Sequence, residues 1–181
     1  MERYDAREAK SEVCLLRAAL ILPWSMPIRD TYDLLHEAFQ AGLETGDIQH
    51  AAHTVSNLCT SPIVAGDPLP RLLDQITPLM DFLERHKHDM LRLYNAIPQQ
   101  TVLNLLDRAA DPLVLTGDVF DEDRDVALLL EAKSYSSVGM FHTMKAMLAY
   151  MFGDHAKALA AMEQAQPFRP ALGGLPMAMQ A

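Results

Sequence analysis

Apolar residues recur along most of this chain at alternating steps of three and four, the spacing that lines up one face of an α-helix. Ile28, Tyr32, Leu35, Phe39 and Gly42 make one such face, and Ile48, Ala51, Ala52, Val55 and Leu58 make the next. Leu69, Leu72, Leu73, Ile76, Leu79, Met80 and Leu83 continue the pattern. Read from end to end, it predicts about eight helices: Glu2 to Leu22, Pro27 or Ile28 to Thr45, Ile48 to about Thr60, Pro68 to about Arg85, His88 to Ala109, Asp123 to Ser134, Ser137 to Phe152 and Asp154 to Gln166. Pro23 stops the first, and a proline at position 27 suits a first turn. Pro78 and Pro98 fall inside the fourth and fifth, where proline kinks an axis. A connector spans 111–120. From about Pro167 onward, Pro170, Gly173, Gly174 and Pro176 predict an irregular tail.

The breaks between helices carry as much information as the helices. Gly42-Leu43-Glu44-Thr45-Gly46-Asp47 closes one helix and opens another, and Tyr150-Met151-Phe152-Gly153-Asp154 repeats the device. Val64-Ala65-Gly66-Asp67-Pro68 is a looser copy, with Asp67 as the expected cap of the fourth helix. Glycine after a helix takes the left-handed conformation that closes it, and an aspartate next to it accepts from the free amides of the following helix. Repeated in this way, the pattern is that of antiparallel helical hairpins stacked as a short α-solenoid, in one domain over residues 1–181.

Four stretches resemble the helical repeat region, similar to tetratricopeptide repeats, of very large bacterial multi-sensor signalling kinases. They are Glu37 to Asp47, Val102-Leu103-Asn104-Leu105-Leu106, Gly117-Asp118-Val119-Phe120-Asp121-Glu122 and Phe152 to Leu159, within a resemblance that runs from about Trp24 to about Phe168. The resemblance implies a region between a nucleotide-binding ATPase domain and the sensor and histidine-kinase domains. None of its motifs is catalytic, so it implies a scaffold in a signalling protein.

Composition changes the picture mainly by exclusion. Hydrophobic residues make up 50% of the chain but aromatics only 7%, a balance that suits helices packed through Leu, Ala and Met. The formal charge of -9 repels phosphate backbones and anionic lipid surfaces, which argues against nucleic acid as a partner. Cys14 and Cys59 stand far apart and outside any metal-binding spacing, so the expected compartment is the reducing cytoplasm. The longest apolar run, Val13 to Trp24, is interrupted by Arg17 and too short to span a membrane.

Several clusters invite a chemical reading beside a structural one. Asp121, Asp123 and Asp125 take the first, third and fifth places of a calcium loop, but Val126 stands where that loop needs glycine and Ala132 where it needs glutamate. The structural reading of the Asp121–Asp125 cluster is a helix start favoured by the macrodipole. His50 and His53 lie three apart on one predicted helix with Asp47 a turn away, a partial metal set against a pair of surface or interface histidines. His86-Lys87-His88-Asp89 falls at a helix junction, open to a pH-sensing reading or to simple capping. Met140, Met144, Met147 and Met151 make a stripe that reads as core packing, as an adaptable protein-binding face or as a thioether copper site. Trp24 reads as a packing anchor. No phosphate-binding Gly-rich loop, kinase catalytic loop or nucleophile elbow is present.

Together these readings predict a non-enzymatic helical scaffold with no catalytic residue, no cofactor and no metal, which docks a protein partner or couples neighbouring domains. The alternative is a small all-helical metal-binding protein or enzyme using His50 and His53 or Asp121–Asp125. The eighth helix, with Ala158, Leu159, Met162 and Ala165, lacks a following helix to cover it, which predicts a homodimer through the C-terminal hairpin.

Overall fold

The computed structural model describes residues 9–173, and these form an all-α fold of eight α-helices and a few tighter turns. The helices are α1 (Lys10–Leu16), α2 (Tyr32–Thr45), α3 (Ile48–Val64), α4 (Leu69–Arg85), α5 (Asp89–Leu105), α6 (Glu122–Glu131), α7 (Tyr135–Met151) and α8 (His155–Ala165). One isolated β-bridge joins Thr116 and Asp121. No helix among the described residues is long and apolar enough to cross a membrane.

Boundaries differ from the expectation where local chemistry overrides periodicity. The start of the first predicted helix lies outside the described residues. Its end widens into a π turn, Arg17–Ile21, and then tightens into a 3₁₀ turn, Leu22–Trp24, at Pro23. The second opens with a 3₁₀ turn, Ile28–Thr31, before α2 begins. Helix α3 runs past Thr60 and through Pro62 to Val64, because only the amide that proline lacks is lost while Pro62 and Ile63 stay buried. Helix α5 passes through Pro98 but stops at Leu105, where Asp107 turns left-handed with φ 59°. The tail expected to be irregular from about 167 forms a 3₁₀ turn, Gln166–Leu172, and Leu172 is buried. Residues 174–181 lie outside the described part.

Gly46, Gly66 and Gly153 hold the left-handed conformation, with φ of 78°, 72° and 80°. Each has open space where a side chain would go, so the glycine is required by backbone angle rather than by crowding. Asp47 and Asp154 cap α3 and α8 as the pattern predicts, accepting from the amides of His50 and Lys157. Asp67 does not cap α4. Pro68 occupies the cap position there, and the Asp67 carboxylate accepts instead from Arg29 Nε at 2.8 Å and from the Tyr32 hydroxyl at 3.0 Å. It thereby fastens the loop before α4 to the start of α2.

Helix α3 packs against α1, α2, α4 and α5; α5 packs against α3, α4 and α7; α7 packs against α5, α6, α8 and the 3₁₀ turn after it. The odd-numbered helices thus follow one another through the molecule. Charge is scarcest on two of them, although α1 keeps Lys10 and Glu12 and α5 keeps Asp89 and Arg92. Helix α3 holds no Asp, Glu, Lys or Arg, and α7 holds only Lys145, whereas α4 holds Arg71, Asp74, Asp81, Glu84 and Arg85. Helices covered on several sides leave long charged side chains nowhere to reach water, so the charges collect on the helices with a free face. The main core runs through Val55, Leu72, Ile76, Leu83, Ile97 and Met144, each such buried aliphatic side chain contributing about 2 kcal/mol before entropy is subtracted. Gly42 lets α2 approach closely. A Cβ there would lie 2.9 Å from Ala51 Cβ, from Asp47 O and from Ser11 Oγ.

Candidate functional site

A groove of about 490 Å³ crosses α1, α3, α5 and the start of α7. Its sides are apolar, from Leu15, Leu16 and Leu20 on one flank and Met90, Leu91 and Tyr94 on the other. Between them α3 presents His50, His53, Ser56, Asn57, Thr60 and Ser61 at helical spacing, half-buried at His50, exposed at His53 and buried at Thr60 and Ser61. Not one of the lining residues is Asp, Glu, Lys or Arg, although those residues form 22% of the chain.

Much of the hydrogen-bonding capacity of this strip is unused. Asn95, fully buried on α5, donates to Ser56 Oγ at 3.0 Å and to Leu91 O, which fixes Ser56 as an acceptor and leaves its own proton free. Asn57 makes only a marginal 3.5 Å contact to His53 O, and Thr60 is bonded back to Ser56 O within its helix. At the start of α7, Ser134 and Ser137 share a hydrogen bond of 2.7 Å.

The structure places His50 and His53 on this groove but does not join them as ligands of one ion. His50 Nδ1 pairs with Asp47 Oδ2 at 2.8 Å, and His53 Nε2 lies 2.9 Å from Gln49 Nε2. Burial, with His50 and His88 nearby, pushes the His53 imidazole below its ordinary pKa. Asp121 accepts from Arg124 N and so caps α6. Asp125 turns inward. Burial pushes its carboxyl up, but the paired Arg124 guanidinium and the Asp121 amide outweigh that and hold it below the ordinary carboxylate range. Among the described residues no group of three His, Cys, Asp or Glu is arranged to hold a metal ion.

The other candidates are structural in their surroundings. His86 ends α4 and packs its ring on Phe82, with centroids 4.5 Å apart, while Lys87 takes a left-handed φ of 58°. Met140 and Met144 are fully buried in the core, whereas Met151 is exposed. Trp24 is not an anchor. The 3₁₀ turn set by Pro23 leaves it 56% exposed, beside the equally open Ile21. Cys59 is buried and its thiol is pushed up to about 12, while Cys14 is only partly covered.

A second polar region, invisible to periodicity, forms where residues 100–104 meet the connector at 111–117 and Glu122. Asn104 of α5 donates from one amide nitrogen toward Val114 O at 2.7 Å, Pro112 O at 3.1 Å and Asp111 O at 3.4 Å. Its oxygen accepts from Gln100 Nε2 at 2.9 Å, and Gly117 closes over Gln100 so tightly that a Cβ would lie 2.7 Å from that nitrogen. Glu122 completes the clasp, accepting from Leu115 N and from Lys145 of α7, each at 2.8 Å. The connector between α5 and α6 is therefore pinned at several points to the odd-numbered helices.

The C-terminal end is partly covered. Phe168 stacks between Tyr135 and His142, with ring centroids 6.0 Å and 6.1 Å away, and Leu172 fills the space above Gly139. Tyr150, Met151, Phe152 and Leu159 stay exposed, and Leu159 and Met162 border a second groove of about 550 Å³. Comparison of the chain with family models, with curated proteins and with solved structures finds no match.

Proposed function

We propose that this chain is a non-enzymatic helical-repeat scaffold, the TPR-like coupling region of a bacterial signal-transduction kinase or ATPase, in which any catalysis belongs to other domains. The observation that carries the reading is the succession of α1, α3, α5 and α7, each packed against the next, with an even-numbered helix set beside each step. Such a series buries a continuous core while its end faces stay available to neighbouring domains or a protein partner. At one end Val13, Ile21 and Trp24 are open, and at the other Tyr150, Met151, Phe152 and Leu159. Both patches are apolar and suit docking.

In this reading the isolated chain pairs through its C-terminal hairpin. Sedimentation equilibrium across a wide concentration range should find a two-fold dimer for the parent and a monomer for Leu159→Glu or Met162→Glu. A parent that stays strictly monomeric at high concentration would contradict the docking role of that end. The metal-binding alternative is met by elemental analysis of protein purified without added metal, since a stoichiometric ion would overturn the scaffold reading.

A further inference from the structure

We infer that the groove across α1, α3 and α5 is a receptor site for an uncharged, largely apolar small molecule carrying one or a few hydrogen-bonding groups. The inference goes beyond the scaffold reading and does not depend on it, because it rests on the groove alone. Size comes first. About 490 Å³ lies within the range of roughly 300 to 1,000 Å³ typical of small-molecule sites, and apolar walls with a few convergent polar groups are the lining such sites use.

Charge then narrows the class. A ligand bringing a carboxylate, phosphate or ammonium into this groove would shed water and meet no free counter-charge, since no Asp, Glu, Lys or Arg lines it, His50 is already paired with Asp47 and burial holds His53 toward its neutral form. The Asp47 carboxylate, bonded to the lining residue His50, is already taken up by that side chain and by the start of α3. An uncharged ligand meets no such penalty. Its apolar body would lie against Leu16, Leu20 and Leu91, and its polar group would find the free proton of Ser56 and the weakly engaged amide of Asn57. Because Asn95 donates to the Ser56 hydroxyl, the hydroxyl proton is left for a ligand to accept without first breaking a bond.

The probe for this site is N-phenyl-1-naphthylamine, a neutral dye that brightens on leaving water, compared with its anionic relative 8-anilinonaphthalene-1-sulfonate. The expected result is one neutral dye per chain, with the sulfonate bound more weakly. Leu16→Glu, which adds a carboxylate at a lining position already 44% exposed, should weaken the neutral dye about tenfold or more. If Leu16→Glu does not fold, Asn57→Lys makes the same test from α3. Leu159→Glu, beside the other groove, should leave the affinity unchanged.

Loss of binding in Leu159→Glu but not in Leu16→Glu or Asn57→Lys would overturn the inference, as would no binding up to the solubility limit of the dye. Dye binding that disappears as the chain self-associates would overturn it too, by showing the groove to be covered by a second copy.

Discussion

Two polar strips lie on the odd-numbered helices and meet opposite fates. On α5, Gln100 and Asn104 are fully buried and, apart from the Gln100 Oε1, which has no partner among the described residues, spend their hydrogen bonds on each other and on the connector at 111–114. On α3, the strip from His50 to Ser61 faces a groove and leaves capacity unspent. A polar group inside a fold costs free energy unless partnered, so the first strip has to be structural. The second is exposed enough from His50 to Asn57 to be solvated there when empty. Polarity on a helix face marks a site only when its bonds are still open.

The comparison breaks most visibly at the clasp. Asn104→Ala removes the donor that serves the Pro112 and Val114 carbonyls and leaves the Gln100 amide without its acceptor, which should destabilise the fold by about 3 kcal/mol in urea denaturation. Gly117→Ala drives a methyl into Gln100, whose side chain is held by Asn104 and cannot swing away, at a cost of about 2 kcal/mol. Gly153→Val meets open space instead, so only the left-handed backbone penalty of about 1 to 2 kcal/mol should appear, and Gly153→Asn should cost less.

A smaller effect should follow pH. His142 stands beside the clasp on α7, with its Nδ1 buried and unpartnered among the described residues. Burial, with Lys145 nearby, lowers its pKa below the ordinary 6.5, so the folded state favours the neutral ring. Its contribution is therefore complete above pH 6.5 and fades as pH falls toward the lowered folded value. Denaturation midpoints should decline across that window, and His142→Gln should flatten the decline. The smallest effect belongs to the groove. Asn57→Ala removes no well-formed bond and should stay within about 0.5 kcal/mol of the parent.

Helix class and the glycine closures were legible because each has a local cause: apolar spacing for the helices, positive φ for Gly46 and Gly153. The closures at Lys87, Asp107 and Lys133 were not. They share the bond that ends the helix before Gly153, in which an amide reaches back five residues, as His88 N does to Leu83 O and Ser134 N to Leu129 O. A lysine or aspartate in the left-handed conformation leaves no mark in a sequence as glycine does.

Site residues divide by the same logic. Spacing singles out His50 and His53 in the sequence but not Ser56, Asn57, Thr60 and Ser61. One signal was available. Seventeen residues of α3 without a single Asp, Glu, Lys or Arg mark a helix crowded by neighbours, and the polar residues it keeps must then face an opening. The clasp left no such signal, since Gln100 and Gly117 meet only through the path of the connector.

The most direct measurement is hydrogen exchange of the side-chain amides, followed by NMR in one sample. The account predicts that the amide protons of Asn104 and Gln100 exchange at least about a hundredfold more slowly than a free amide, while those of Asn57 stay within about tenfold of it. Comparable protection at Asn57 and Asn104 would contradict the division between a closed clasp and an open groove.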